Sequence, residues 1–407
     1  MKTSISTLHG GSQLVFDTVE NITNTVERMH ETIARLPLPW ARQPEEMTKA
    51  HGLIASAVYS TIREVNGMLR TGADRAFDFL PEPEPDNTWP AAAEIRAIAA
   101  LNGAFGDHFE ARGNALAIPM SLTTASHQLE LNTEALTCAM PGASPHLVIL
   151  VHGLGMSELC WSRKASSCMG SRLQNEMDYT PLYLRYNSGR HISTNGREFA
   201  ELLQQLCEAW PVPVETLSLI GHSMGGLLIR SACWYADKAE NSWLASLGRV
   251  VCLGTPHHGS PVAKAGHALT VAMESIPYIE PLAIGRRRSA GIKDLKHGNL
   301  LDEDWQGHHP DHSRPDSRTA VPLLPHVDYY FAAASLGRDK DDPLGHVLGD
   351  LLVRCDSAMG SHSNDVHHLE IKDENCRVFH EKSHLDLLTD EEVHHQIVDW
   401  FSADSID

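Results

Sequence analysis

Ser223 sits in LSLIGHSMGGLLIRSA, an apolar run, then Gly221-His222-Ser223-Met224-Gly225, then a helical pattern. A turn this tight demands small residues, and its strain lifts the hydroxyl clear of the preceding strand. Such a hydroxyl does acyl transfer only when a neighbouring base takes its proton and an acid orients that base. Gly221 and Gly225 leave room for the backbone to cross, and Gly226 lets the helix approach the neighbouring strand.

The partners follow from the other strand ends. LVILVHGLGMS ends a strand in His152-Gly153-Leu154-Gly155, a loop without bulk where backbone must face a substrate. Its Leu154 amide and that of Met224, the residue after the serine, are the expected oxyanion donors. His152 precedes the elbow and reads as a structural hydrogen-bonding residue. VVCLGTPHHGSP offers His257 and His258 as bases, but the expected chain order is serine, acid, histidine. The acid should therefore lie in GDLLVRCDSAMG, where Asp350 precedes an apolar run and Asp356 is the rival; Asp341 and Asp342 read as a solvated turn. The base should lie in CRVFHEKSHLDLL, as His384, with His380 as the alternative.

These residues must be carried by a sheet. LVILV, LYLRY, LSLIG, VVCLG and VDYYFAAAS are short apolar runs without strict alternation, as strands buried on both faces read. Helical patterns between them give βαβ units and a mostly parallel sheet with flanking helices, an α/β fold with its chemistry beyond the carboxyl ends of the strands. Residues 261–325 exceed a plain connection and read as a cap insertion. Within it, HHPDHSRPDSR reads as a solvated loop, with a metal held by His308, His309 and His312 as the alternative. Residues 1–88 form a separate helical region. Val15, Val19, Ile22, Val26, Met29 and Ile33 make one apolar seam and Ile54, Val58, Ile62, Val65 and Leu69 a second. The two seams are expected to pack as a hairpin, against the domain at 89–407 or against a second copy in a homo-oligomer. PEPEPDNTWP reads as a stiff linker.

Composition narrows the partners. The chain has 407 residues and a net charge of −19, from 52 acidic and 33 basic side chains. Such a surface repels phosphate backbones, so nucleic acid is an unsuitable partner. No run is long and apolar enough to span a membrane, and the N-terminal residues lack a signal-peptide pattern. The eight cysteines form no C-x-x-C pair and read as reduced thiols, so a cytoplasmic location is expected.

GHSMGG, HGLG, LGTPHHGSP and SHLDLL together resemble bacterial esterases and lipases of the α/β-hydrolase superfamily, including GPI inositol-deacylase-like proteins. The likeness covers roughly residues 95–405, GIKDLKHGNLLDEDW included. It implies Ser223, Asp350 and His384 as a triad, with carboxylic ester hydrolysis as the activity and no cofactor or metal. Relatives often read G-D-G-x-V around the acid, where this chain has Gly349-Asp350-Leu351-Leu352-Val353. The substrate expected is a small-molecule or lipid ester, with hydrolysis, acyl transfer to an alcohol and lipid deacylation all open. A catalytically dead binding scaffold is the reading from another class.

Overall fold

The five apolar runs become neighbours in one sheet. The computed structural model describes residues 5–34, 59–60, 62–75, 92–162, 168–260, 288–307, 316–339, 342, 350 and 352–402. Its strands are β1 (Ser121–Thr123), β2 (His146–Val151), β3 (Thr180–Arg185), β4 (Thr216–His222), β5 (Leu247–Leu253), β6 (Asp328–Ser335) and β7 (Cys376–His380). Their spatial order is β1-β3-β2-β4-β5-β6-β7. Among the described strands only the short β1 runs antiparallel, against β3.

The described helices are α1 (Ile5–Ala34), α2 (62–75), α3 (Ala92–Ala111), α4 (Thr133–Ala139), α5 (Met169–Met177) and α6 (Ile192–Ala209). Then come α7 (Met224–Lys238), α8 (Ala290–His297), α9 (Asp302–Trp305), α10 (Cys355–Ala358) and α11 (Glu391–Ser402). Along β2, Leu147, Ile149 and Val151 join the cluster under α6 and α7, with Phe199, Leu203, Leu228 and Ala232. Val148 and Leu150 join the opposite one, under α5 and α11, with Leu173, Ile397 and Trp400. Alternate side chains of one strand thus face two apolar layers, which is why the run shows no polar positions.

The topology also fixes where chemistry can happen. After β2 the chain moves one way to β3 and then crosses back to β4 on the other side. The crevice opened by such a reversal lies beyond the carboxyl ends of β2 and β4. Those ends are the HGLG loop and the Ser223 turn.

The described residues divide into two compact units, one holding α1, α2 and Ala111–Leu116, the other the sheet and its helices. In the first, α1 and α2 meet through polar pairs at His9, Phe16 and Asp17 rather than along the apolar seam read from the sequence. Buried Asp17 pairs with Arg70 at 2.5 Å, Asn66 donates to the Phe16 carbonyl at 2.9 Å, and His9 meets Asp74 at 2.6 Å. Val15, Val19, Ile62, Val65 and Leu69 lie at the surface, between 37% and 60% exposed. A carboxylate held among packed helices must find its cation, and that requirement outweighs a few half-exposed valines in choosing the face. The Ile22, Val26, Met29, Ile33, Ile54 and Val58 side chains of those seams lie outside the described residues. No helix among the described residues is long and apolar enough to cross a membrane.

Candidate active site

Ser223 follows β4 and caps the start of α7 with φ +55° and ψ −122°, a backbone conformation that costs a non-glycine residue about 1–3 kcal/mol. Packing holds it there. A Cβ on Gly221 would lie 2.6 Å from the Gly226 nitrogen, and one on Gly225 would lie 2.3 Å from the Val151 carbonyl oxygen. The Ser223 N–H donates to the Leu253 carbonyl at 2.8 Å, which ties the turn to the end of β5.

The next residue of that strand end, Gly254, has φ +59°, and a Cβ there would lie 2.8 Å from Cε1 of His384. The His384 ring thus lies against the loop that anchors Ser223. Its own loop follows β7 and is fixed by Asp386, whose Oδ2 accepts from the Ser383 amide and hydroxyl at 2.7 Å each. His222, the serine's neighbour, holds the His384 carbonyl through Nε2 at 3.1 Å. Asp350 Oδ2 lies 2.6 Å from His384 Nδ1, while Oδ1 accepts from the amides of Leu352 at 2.9 Å and Val353 at 2.7 Å. Both side chains are buried, and Nε2 of His384 is buried with no hydrogen-bond partner among the described residues. A carboxylate with three donors is well satisfied, and it fixes the imidazole with its proton on Nδ1 and a lone pair on Nε2.

The HGLG loop presses on the same spot, for a Cβ on Gly153 would come within 3.1 Å of the Ser223 Cβ. Gly155, at φ +66°, donates its N–H to Ser188 Oγ at 2.9 Å, so that amide is engaged, as is that of Ser223. Met224 is the first residue of α7, where amides have no partner within the helix. The Leu154 and Met224 side chains share one buried cluster with Ile292, Leu295, Leu300, Leu301 and Val321. The described part of the expected cap therefore packs behind both oxyanion candidates. Residues 261–287 and 308–315, with His308, His309 and His312, lie outside the described residues.

The structure brings Asp350 to His384 and leaves Asp356 exposed at the start of α10. His380 ends β7 with a buried, unpartnered Nδ1. Three other histidines at strand ends are held neutral. Burial lowers His152 to about 4 against the bond to the Gly153 carbonyl, and its ring stacks on Tyr186 at 4.4 Å. Burial and then the Arg230 guanidinium push His257 well down, and burial lowers His258 to about 4. Arg230, itself buried, is lowered to about 10 by burial. Among the described residues no group of three or more histidines, cysteines and carboxylates could hold a metal ion.

Sequence reading overlooked Tyr186, Ser188 and His222, which touch the HGLG loop or the His384 loop through hydrogen bonds. The available signal was Asn187-Ser188-Gly189, a small polar run directly after an apolar strand.

A mostly parallel seven-stranded sheet with a serine on a strained strand-to-helix turn defines the α/β-hydrolase class. Within that class, residues 143–277 match the family model of the PGAP1-like alpha/beta domain. That stretch carries HGLG, the elbow and TPHHGS; Asp350 and His384 lie beyond it. Among solved structures, the chain is similar to the mature Bacillus licheniformis lipase BlEst2, at 15% identity and a TM-score of 0.43 over 70% of this chain and 98% of that one. It is similar to Aspergillus fumigatus lipase B at 12% identity and a TM-score of 0.40, over 69% and 60%. An arylesterase aligns at 13% identity and a TM-score of 0.36, over 64% and 74%. No curated protein matches the chain in sequence.

Proposed function

We propose that this chain hydrolyses carboxylic esters through an acyl-enzyme on Ser223. The observation that carries the reading is His384, bonded to Asp350 through Nδ1 at 2.6 Å, with Nε2 buried and unpartnered among the described residues and its ring 4.6 Å from that of His222 in the elbow. Nε2 takes the Ser223 proton as Oγ attacks the ester carbonyl carbon. The oxyanion that forms is held by the N–H groups of Leu154 and Met224, each worth roughly 3 kcal/mol. Collapse breaks the bond to the alkoxide, which leaves with the proton from His384. Water then gives a proton to Nε2 as its oxygen attacks the acyl carbon, and collapse releases the acid while Nε2 returns that proton to Ser223 Oγ. Asp350 stays ionised and holds the tautomer throughout.

The chemistry fits a small-molecule or lipid ester and needs no group beyond three side chains, two amides and water. Ser223→Ala should lower kcat for p-nitrophenyl esters by at least about a thousandfold with the fold intact. Turnover within tenfold of wild type would end the proposal. Wild-type protein given a range of acyl lengths, with and without added alcohols, reports chain preference and whether water or an alcohol accepts the acyl group.

A further inference from the structure

Tyr186, Asn187 and Ser188 directly follow β3, so they stand to the crevice as Gly153 stands after β2 and Ser223 after β4. Each is 1% exposed. The Tyr186 hydroxyl donates to the His152 carbonyl at 2.8 Å, and Ser188 Oγ accepts the Gly155 N–H at 2.9 Å. One tripeptide thus grips both ends of HGLG.

The peptide groups involved give this grip its meaning. The His152 carbonyl belongs to the His152–Gly153 peptide and the Gly155 N–H to the Leu154–Gly155 peptide. Between them lies a single peptide plane, Gly153–Leu154, and it carries the Leu154 N–H. Glycines flank Leu154 on both sides, and because glycine accepts φ of either sign the loop needs outside contacts to fix its planes. Tyr186 and Ser188 pin the planes on either side, and the middle plane's own Gly153 carbonyl accepts from His152 Nδ1 at 2.9 Å and from the Met156 N–H at 3.3 Å, so all three successive planes are held. The tripeptide is itself anchored: Asn187 Nδ2 donates to the Gly106 carbonyl at 2.9 Å, its Oδ1 accepts from the Gly189 N–H at 3.1 Å, and Asn195 Nδ2 donates to its carbonyl at 2.9 Å. On the other side α3 closes in, since a Cβ on Gly103 would lie 2.6 Å from the Gly155 Cα.

We propose that Tyr186 and Ser188 are positioning residues for the oxyanion step, bracketing the Gly153–Leu154 peptide so that the Leu154 N–H is aimed before substrate arrives. This rests on the ester-hydrolysis reading and adds to it the source of the preorganisation. Tyr186→Phe and Ser188→Ala are made in the full chain, with Ser246→Ala as a control. Ser246 Oγ donates to the Val214 carbonyl at 2.9 Å, away from the crevice, so its loss tests a hydrogen bond that is structural only. For p-nitrophenyl esters, kcat should fall about tenfold or more in each of the first two, with KM within threefold. Affinity for a trifluoromethyl ketone, whose serine adduct carries the same oxyanion, should weaken by the factor that kcat/KM falls. Ser246→Ala should lower Tm without changing kcat.

Should Ser188→Ala fail to fold, Tyr186→Phe decides alone, since it keeps the ring stacked on His152 and removes only the hydroxyl. Variants that melt earlier yet keep wild-type kcat and ketone affinity would reduce both residues to structural ones while the Ser223 reading stands. A wild-type chain that turns over no ester and forms no ketone adduct would overturn both proposals together.

Discussion

Replacing Asp350 by Asn tests the site most sharply, because the surrounding donors dictate how the new amide must lie. Oδ1 of Asp350 accepts from the amides of Leu352 and Val353 at 2.9 and 2.7 Å, both from the turn that holds the residue. An asparagine must turn its carbonyl oxygen to those two N–H groups, for the reverse would set its NH2 against them. Its NH2 then faces His384 Nδ1, where Asp350 Oδ2 now sits at 2.6 Å. Nδ1 is forced to accept, the imidazole proton moves to Nε2, and the lone pair that would take the Ser223 proton is gone. A tautomer reversal of this kind costs about 10⁴ in kcat, or roughly 5 kcal/mol of transition-state stabilisation. The native state loses a charge-assisted bond, worth about 1–3 kcal/mol, so Asp350→Asn should melt somewhat earlier but fold. The assay is kcat on a p-nitrophenyl ester beside the rate of Ser223 labelling by a fluorophosphonate, and both should fall together. Asp356→Asn, on an exposed side chain, is the control and should change neither. Turnover of Asp350→Asn within tenfold of wild type would refute the argument, since no other carboxylate is bonded to His384 among the described residues.

Gly254→Ala should cut kcat at least about tenfold and lower stability by about 1–2 kcal/mol, because φ is +59° and the new methyl would lie 2.8 Å from His384 Cε1. Activity and Tm of the purified variant check it, and a fully active enzyme would show that the His384 ring is not confined by this strand end. Acid should unfold the protein partly through His152, held at about 4 in the folded state against 6.5 when free. Between those values the unfolded chain binds the extra proton. This stability is therefore present above about pH 6.5 and is lost as pH falls toward 4, by on the order of 3 kcal/mol. His257 and His258, also depressed by burial, add to the loss with the same sign. Urea unfolding of wild type and His152→Gln at pH 7 and pH 4.5 checks this, and equal pH dependence in both would refute it.

How much of the site can be read from residues depends on how local each constraint is. The elbow is legible because part of its demand is local: a Cβ on Gly221 would meet Gly225 and Gly226 of the same turn, while one on Gly225 would meet Val151 of β2. In the HGLG loop Gly155 is demanded locally by its φ of +66°, whereas Gly153 is demanded by Ser223 from β4. Asp350 is reached by chain order, and the geometry that makes it a good acceptor lies in two backbone amides. Those amides come from Leu352 and Val353, so the turn is built by main chain, and side-chain identity around it says little.

Tyr186 and Ser188 are hidden for a different reason: the small polar run after β3 marks a loop but not what that loop holds. They meet His152 and Gly155 only because β3 lies beside β2 in the sheet, in the register Val151 to Leu184. Nothing within either segment announces that pairing. The same limit shows in the helical segments, where periodicity names an apolar stripe but not what lies against it. In α1 the stripe through Val15 and Val19 loses the inner position to Asp17, a single buried carboxylate whose partner, Arg70, is 53 residues away. In the segment read as a cap, Ile292 and Leu295 turn inward onto Leu154 and Met224. Apolar pattern gives each of these faces a reason to be covered, whereas a buried charge or a pinned amide decides which cover it takes. If that is right, Asp17→Leu should re-pair α1 and α2 along the valine stripe. Val15 and Val19 would then be buried, and hydrogen exchange would slow at both positions.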